Sequence, residues 1–252
     1  MTGYGMVNQS QCPIMLVHGA WHRPDCWNGV MDHIKKNKFP VIAPSLDHSG
    51  KGGHLRDVST LLSFIRKKNL NHIVLVGHSY GGAVIADLAA RIPHKVSQLV
   101  FLNAFVPVRG KSIMDDLPRF HQKVLFDLAR ASASGALQLP FQAWRDTFMN
   151  GAGEALTETT YRELVPEHID RFTRVSTAEP VSGLDLIKTY IHATEDIALP
   201  PGKWGWLPRM PARLGDHRLI RIAGNHEVIF TEPDLVAETI MESVQPGLMM
   251  AG

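Results

Sequence analysis

The feature that most constrains the fold is the stretch HIVLVGHSYGGAVIADLAA at residues 72–90. The apolar run Ile73–Val76 is followed at once by GHSYGG and then by small and aliphatic residues at helical spacing. A run that is apolar at every position is typical of a strand covered on both faces, as in parallel sheets. The stretch therefore predicts a buried strand, a tight turn and a buried helix, with Ser79 at the turn.

Similar apolar runs recur along the chain and alternate with helical patterns. The strand candidates are Ile14–Val17, Phe39–Ala43, Ile73–Val76, Leu99–Leu102, Thr189–Ala193 and Leu219–Ala223. The helical candidates outside the central part of the chain are Cys26–Lys36, His54–Lys68, Gly81–Arg91 and Pro233–Val244. Strand and helix in alternation predict an α/β fold, with a mostly parallel sheet of about six strands and helices on both faces.

The interval from 107 to 186 breaks this alternation. It contains no convincing strand, but it has helical patterns at Phe120–Ala131, Leu139–Phe148 and Thr159–Leu164. We expect an insertion of this size at one edge of a sheet to lie over the ends of the strands. The sequence therefore predicts a core domain of residues 1–106 and 187–252 and a helical cap of residues 107–186.

Composition and charge exclude several classes of protein. A 44% hydrophobic and 20% charged chain is globular, and a net charge of +2 without a long basic run gives no reason to expect a nucleic-acid partner. No apolar run reaches the roughly 18 residues that span a bilayer, and the N-terminus lacks the pattern of a secretory signal. We expect a cytoplasmic protein without membrane association and with Cys12 and Cys26 reduced; a homodimer is left open.

A serine flanked as Gly-x-Ser-x-Gly between a strand and a helix has a chemical use. The tight turn strains the backbone and directs the hydroxyl into solvent, and side chains at Gly77 and Gly81 would collide with neighbouring elements. The alternative, a serine that only caps the helix, is disfavoured by the strand–turn–helix context. Because a serine hydroxyl is a weak nucleophile, Ser79 needs a base beside it.

His226 is the candidate base, since it follows the last strand candidate and so lies at the same edge of the sheet as Ser79. Asp196 follows the run Thr189–Ala193 and is the candidate carboxylate that holds the imidazole and stabilises the imidazolium. Glu195 competes with it, but neighbours in an extended segment face opposite ways.

An oxyanion formed by attack of the serine also needs amide donors. The turn LVHGAW after the first strand offers the amide of Ala20, and the helix start offers that of Tyr80. We interpret His78 as packing or hydrogen-bonding support. His18 and His22 are four residues apart, but no acidic or thiolate ligands accompany them, so we expect no metal and no cofactor.

Together these residues resemble the α/β-hydrolase fold family, and within it the small branch of plant methylesterases and hydroxynitrile lyases. The resemblance implies Ser79, Asp196 and His226 as the catalytic triad, with Ala20 and Tyr80 as oxyanion donors. The shared pieces follow the family's order over most of the chain outside the cap: LVHGAWHRPDCW (16–27), APSLDHSGKG (43–52), VLVGHSYGGAV (74–84), LVFLNAFVP (99–107), YIHATEDIALP (190–200) and AGNHEVIFTEP (223–233).

Two departures from the branch bear on the reaction. Its hydroxynitrile lyases have a lysine after the catalytic histidine and a threonine in the first loop, where this sequence has Glu227 and Gly19. A buried acid would repel a departing anion, which argues against the lyase reaction. We therefore expect an esterase or lactonase that acts on a small, largely apolar molecule through an acyl-enzyme. A triad-retaining sensor and a cofactor-free C–C bond hydrolase or lyase are the alternatives.

The substrate pocket is expected between the serine turn and the cap. Aromatic residues at helical spacing also pack within caps, so each candidate wall is a separate prediction. The candidate walls are Trp21, Phe105, Phe120, Leu125, Phe141, Trp144, Phe148 and Trp204.

Overall fold

The computed structural model describes residues 12–47 and 53–244. Six strands form one sheet in the order β2-β1-β3-β4-β7-β8, and every neighbouring pair is parallel. The predicted α/β architecture, a mostly parallel sheet of about six strands, is thereby confirmed. The strands are β1 (Ile14–Val17), β2 (Val41–Ile42), β3 (Ile73–His78), β4 (Val96–Leu102), β5 (Ala136–Leu137), β6 (Glu167–His168), β7 (Ile187–Ala193) and β8 (Arg218–Ile222).

Helices follow or separate most of these strands. They are α1 (Asn28–Lys36), α2 (Gly53–Lys67), α3 (Tyr80–Arg91), α4 (Arg119–Ala131), α5 (Phe141–Ala143), α6 (Glu154–Glu163), α7 (Asp170–Thr173), α8 (Val228–Thr231) and α9 (Pro233–Val244). A π-helical segment, Trp144–Phe148, continues α5. Short 3-10 segments lie at Pro24–Trp27, Pro93–Lys95, Met114–Asp116, Val181–Gly183, Gly202–Trp204 and Pro211–Leu214.

The central strands are apolar at every position because both faces of the sheet are covered. In β3, Ile73 and Leu75 pack in the same cluster as residues of α2 and α3. Val74 and Val76 point the other way and pack in a second cluster with residues of α1 and α9. Successive side chains of a strand alternate between faces, so each face of β3 buries its own aliphatic set.

The chain between β4 and β7 is mostly helical, but the prediction that it contains no strand is wrong. β5 and β6 form an antiparallel ribbon in which Ala136 lies opposite His168 and Leu137 opposite Glu167. Strands of two residues are too short to produce an alternating apolar pattern, so they could not be predicted from the sequence. We call this pair the cap ribbon.

No helix among the described residues is both long and apolar enough to cross a membrane. Cys12 and Cys26 are both buried and unpaired, as expected from the sequence. The predictions for residues 1–11 and for the end of the APSLDHSGKG motif lie outside the described residues. Because the six sheet strands run in one direction, their carboxyl ends meet at one edge, and the loops that carry the candidate site residues leave from there.

Candidate active site

Ser79 lies at the junction of β3 and α3 with φ 51° and ψ −119°. Its amide donates to the carbonyl of Leu102 at 3.2 Å. Its carbonyl accepts from the amides of Gly82 and Phe105, each at 3.1 Å. These bonds hold a backbone conformation that residues with a side chain rarely adopt, as predicted for the turn.

The glycines around Ser79 are required by close approach. A Cβ at Gly77 would lie 2.6 Å from the carbonyl oxygen of Gly81, and one at Gly81 would overlap the carbonyl oxygen of Val17. Gly82, which the sequence reasoning did not single out, is equally tight, since its Cβ would lie 2.6 Å from the Cβ of Ala104. The α3 helix can therefore contact β1, β3 and the chain after β4 at once.

His226 follows β8, and Asp196 follows β7. His226 Nδ1 lies 2.7 Å from Asp196 Oδ2, and both side chains are buried. The other oxygen of Asp196 accepts from the Ala198 amide at 2.8 Å, which fixes the carboxylate. Because a carboxylate only accepts, neutral His226 carries its proton on Nδ1 and keeps Nε2 as an acceptor. Glu195 is exposed, so of the two neighbouring acids it is Asp196 that contacts the imidazole.

Rings enclose the imidazole of His226. Trp206 stacks on it at 5.6 Å between centroids and 11° between planes, and Phe148 meets it edge-on at 5.3 Å. The ring of His78 lies 4.9 Å away on a third side. Burial by itself lowers the pKa of an imidazole, but the carboxylates of Asp196 and Glu227 outweigh it and raise the pKa of His226 above its ordinary value.

A second buried carboxylate, that of Glu227, lies beside the imidazole of His226. His22 Nε2 donates to it, at 3.2 Å from Oε1 and 3.1 Å from Oε2. Burial raises the pKa of this carboxyl, but His22, His78 and His226 together lower it to about 2. His78 Nε2 donates to the His226 carbonyl at 3.0 Å, and burial lowers the pKa of His78 to about 4. His78 is therefore a neutral support, in keeping with the interpretation from the sequence.

One group of donor atoms among the described residues has the spacing of a metal site. Ligand atoms of His78, His226 and Glu227 all lie within 4.8 Å of one another. Each of these side chains is already engaged: His78 with the His226 carbonyl, His226 with Asp196, and Glu227 with His22. We therefore interpret the group as an internal network of charges and hydrogen bonds.

The loop after β1 passes directly beside the serine turn, where a Cβ at Gly19 would lie 3.1 Å from the Cβ of Ser79. His18 Nδ1 donates to the Gly19 carbonyl at 2.9 Å, which is a structural bond within the loop. Ala20 and Tyr80 line the same cavity as Ser79. The Tyr80 amide belongs to the first turn of α3, where a helix leaves its N–H groups without an internal acceptor. We call residues 19–22, which include the predicted oxyanion donor Ala20, the oxyanion loop.

The cap ribbon holds the oxyanion loop through Trp21, whose φ is 63°. The Trp21 amide donates to Glu167 Oε2 at 3.2 Å, and its indole Nε1 donates to the Leu137 carbonyl at 2.9 Å. The Trp21 carbonyl accepts from the Val165 amide at 2.8 Å. Sequence reasoning missed this arrangement because its partners are more than 100 residues apart along the chain.

Arg171 of α7 joins the cap to the core through buried charges. Its guanidinium forms two bonds to the carboxylate of Asp57 in α2, at 2.7 and 2.8 Å, and also contacts Glu167. The hydroxyl of Tyr80 donates to the same Asp57 at 2.6 Å. Burial would lower the pKa of Arg171, but Asp57 and Glu167 raise it well above its ordinary value. Burial raises the pKa of Glu167 despite Arg171.

A cavity of about 180 Å³ lies between the serine turn and the cap. It contains both Ser79 and His226, and its other polar wall residues are Tyr80, His121 and Thr147. Among the described residues that line it, none is a lysine, arginine, aspartate or glutamate. The remaining walls are small, aliphatic and aromatic: Ala20, Trp21, Phe105, Leu117, Val124, Leu125, Leu128, Leu139, Pro140, Ala143, Phe148, Phe172, Ala198, Leu199 and Trp206.

The structure places half of the predicted wall residues in this cavity, namely Trp21, Phe105, Leu125 and Phe148. The other four lie elsewhere, which corrects the prediction. Phe120 is 72% exposed on α4, and Phe141 packs against Tyr161 with 5.0 Å between ring centroids.

Trp144 is buried inside the cap, where its Nε1 donates to the Thr157 carbonyl at 3.1 Å. Trp204 lies under the cationic groups of Lys203 and Arg209, at 5.1 and 6.0 Å from the ring centroid. Among the walls that sequence reasoning missed is Trp206, two residues further along the same KWGWLP segment. The segment is not periodic, so the sequence could not tell which tryptophan faces the site.

Comparison with known proteins agrees with this geometry. A carbendazim hydrolyzing esterase of Nocardioides sp. (strain SG-4G) is 40% identical over 118 residues, which are 42% of this chain and 47% of that protein. A pyrethroid hydrolase of Sphingobium wenxiniae is 27% identical over 254 residues, covering 91% of this chain and 86% of that protein. Putative plant methylesterases are also among the relatives.

Among solved structures, an extracellular alpha/beta-hydrolase from a Paenibacillus species superposes with a TM-score of 0.89 at 29% identity. The match covers 92% of this chain and 98% of that one. That protein is described as sharing structural and functional homology with tobacco salicylic acid binding protein 2. The model of the alpha/beta hydrolase family matches residues 14–239 of this chain. The resemblance inferred from the motifs is confirmed, and the chain belongs to the alpha/beta hydrolase family.

Proposed function

We propose that this ester hydrolase cleaves neutral esters of small, largely apolar molecules through an acyl-enzyme on Ser79. The observation that carries the proposal is the 2.7 Å contact between His226 and Asp196, in a cavity that His226 shares with Ser79. A buried carboxylate behind an imidazole, with a serine on a strained turn before it, is the arrangement that activates a hydroxyl nucleophile.

The reaction has two halves that use the same groups. Ser79 Oγ attacks the ester carbonyl while His226 Nε2 takes the hydroxyl proton, and the amides of Ala20 and Tyr80 bind the resulting oxyanion. The alcohol leaves with the proton from His226, which leaves the acyl group on Ser79. Water then attacks the acyl-enzyme with His226 as the base, and the acid is released as Ser79 recovers its proton. Asp196 keeps the imidazole in the productive tautomer throughout.

The cavity wall supports a neutral substrate. An anionic group that enters this cavity leaves water without gaining a lysine or arginine partner among the described wall residues, which is energetically unfavourable. Apolar acyl and alcohol groups, by contrast, gain from burial against the leucine and aromatic walls. The two relatives above, by their names an esterase for carbendazim and a hydrolase for pyrethroids, support hydrolysis rather than another use of the site.

A matched pair of substrates tests the proposal. We expect kcat/KM to be about 100-fold higher for p-nitrophenyl pentanoate than for mono-p-nitrophenyl glutarate, which has a similar length but ends in a carboxylate. Ser79→Ala is expected to abolish both the turnover and labelling by a fluorophosphonate probe. Equal rates for the two esters would contradict the neutral-substrate assignment, and full turnover by Ser79→Ala would contradict the acyl-enzyme. Lactones and a β-diketone in the same panel show whether the site also opens rings or cleaves C–C bonds.

A further inference from the structure

Glu227 directly follows the proposed base, yet the triad makes no use of it. Its side chain is only 2% exposed, and its carboxylate is held by His22 of the oxyanion loop. Its backbone carbonyl accepts from the Phe230 amide at 2.8 Å, so the residue also starts α8. The pair of Glu227 and His22 therefore connects the loop that carries the base with the loop that carries an oxyanion donor.

The surroundings of this pair keep water away from it. The ring of His22 lies 5.8 Å from Trp144 and 5.6 Å from Phe230, measured between centroids, and 6.3 Å from His78. A charge in such an enclosure acts on its neighbours more strongly than it would in water, because little solvent screens it. The carboxylate of Glu227 lies within reach of His226, since ligand atoms of the two side chains are no more than 4.8 Å apart.

Within the described part of the chain, the ionisable groups that contact or flank His226 can be assigned to their elements. Asp196 faces it from the loop after β7, His78 from the end of β3, and Glu227 from its own loop, with His22 of the oxyanion loop behind Glu227. The other rings in contact, Trp206 and Phe148, carry no charge. Since burial keeps the pKa of His78 near 4 and the cluster keeps that of Glu227 near 2, His78 is neutral and Glu227 ionised above about pH 5.

We propose that Glu227, tethered by His22, is a positioning residue that stabilises the protonated form of His226 together with Asp196, and so sets the pH at which catalysis begins. The inference rests on the proposed function, because His226 becomes an imidazolium each time it takes a proton from Ser79 or from water. Asp196 supports that cation through Nδ1, and Glu227 adds a second buried negative charge near the ring. Because the same carboxylate accepts from His22, it also connects the loop of His226 with the oxyanion loop.

The acid limb of the pH–rate profile tests this role. Glu227→Gln keeps the size of the side chain and an oxygen that accepts from His22, but it removes the charge. We expect the limb of kcat/KM for p-nitrophenyl pentanoate to move to lower pH by about one unit, because His226 holds its proton less tightly. Glu195→Gln is the matched control, since it removes an exposed carboxylate next to Asp196 and should leave the limb in place.

Two outcomes with the Glu227 variants overturn the proposal, and an NMR titration replaces them if the variants do not fold. If Glu227→Gln lowers the rate at every pH but leaves the acid limb unchanged, Glu227 only holds the two loops together. If Glu227→Asp, which keeps the charge, shifts the limb as far as Glu227→Gln does, the charge is not responsible. Should neither variant fold, NMR titration of ¹⁵N-histidine in the unaltered protein decides: a midpoint for His226 above about 6.5 is expected, and one at or below it overturns the proposal.

Labelling by a fluorophosphonate separates this inference from the proposed function. In that reaction the Ser79 oxygen bonds to phosphorus as the P–F bond breaks, and His226 takes the serine proton. The pH profile of labelling therefore reports on His226 without any ester. Normal labelling without ester turnover would contradict the proposed function and leave the comparison of Glu227 variants valid. Ester turnover with the same acid limb in Glu227→Gln and the unaltered protein would overturn the inference alone.

Discussion

Ser79 is held in an unfavourable backbone conformation by the contacts of its neighbours. The turn is fixed by bonds from Gly82 and Phe105 to its carbonyl and by the close approach of Gly77 to Gly81. These contacts belong to β3, α3 and the chain after β4, so the strain is supported by the whole centre of the sheet. The backbone strain at Ser79 therefore lowers the stability of the fold, while it places the hydroxyl at the turn.

That strain can be measured by comparing two inactive variants. Glycine adopts a φ of 51° without steric penalty, whereas alanine keeps the clash of its Cβ. We expect the free energy of unfolding of Ser79→Gly to be about 1 kcal/mol larger than that of Ser79→Ala, so the glycine variant is the more stable one. This holds even though glycine gains more entropy on unfolding. Urea denaturation of both variants measures the difference. An alanine variant as stable as the glycine variant would show that the turn is relaxed.

Residues of the site differ in how far the sequence could predict them. The positions of Ser79, Asp196 and His226 followed from chain order and from their loops at the strand ends. The cavity walls did not follow, because Phe120 and Leu125 lie on one helix and only packing decides which of them faces the site. The same holds for Glu227, whose importance depends on a partner, His22, that lies 205 residues away.

At the level of elements, the strands that carry the site were predictable and those of the cap were not. β1 has its predicted bounds, and β3 extends its predicted run by two residues to His78. Their burial on both faces gives a signal that is local in the sequence. The cap ribbon depends instead on distant contacts, since Leu137 and Glu167 are held against Trp21 of the oxyanion loop. Such contacts leave no trace in a window of neighbouring residues.

The buried ion pairs of Arg171 with Asp57 and Glu167 predict that the effect of removing Arg171 on stability depends on pH. Arg171→Met leaves the carboxylates of Asp57 and Glu167 buried without their cation, and we expect a loss of about 3–5 kcal/mol in unfolding free energy near pH 7.5. The pKa of Glu167 is raised in the folded protein and would rise further without Arg171. A carboxyl whose folded pKa exceeds its unfolded pKa favours folding below the unfolded value, and this contribution is lost as the pH rises.

The loss should therefore be smaller near pH 5 than near pH 7.5, and urea unfolding at the two values checks it. Arg174→Met is the control, because this arginine is exposed three residues further along; its effect should stay within about 0.5 kcal/mol at both values. An equal loss for Arg171→Met at both pH values would mean that packing, not charge, is responsible.

For the whole molecule, the sheet separates two apolar clusters, and both cysteines lie in the one that α1 and α9 cover. Burial raises the pKa of the thiols of Cys12 and Cys26, so the reactive thiolate is disfavoured at neutral pH. Assembly as a homodimer and the cap boundaries at 107 and 186 stay predictions.

We expect a thiol reagent such as 5,5′-dithiobis(2-nitrobenzoate) to react with neither cysteine in the native protein and with both after denaturation in urea. Reductant should leave the melting temperature unchanged, because neither cysteine is paired. Rapid reaction of one thiol in the native protein would show that this side of the sheet opens readily. A drop in melting temperature on reduction would contradict the unpaired state.

The three hydrogen bonds between Trp21 and the cap have a consequence for protein engineering. A cap grafted from a relative to change substrate preference would also replace the support of the loop beside Ser79. A chimaera should therefore keep residues 136–137 and 165–171 from the host, and mutant libraries should vary the cavity side of α4 around Leu125 and Leu128. Selectivity could then evolve without loss of the catalytic step.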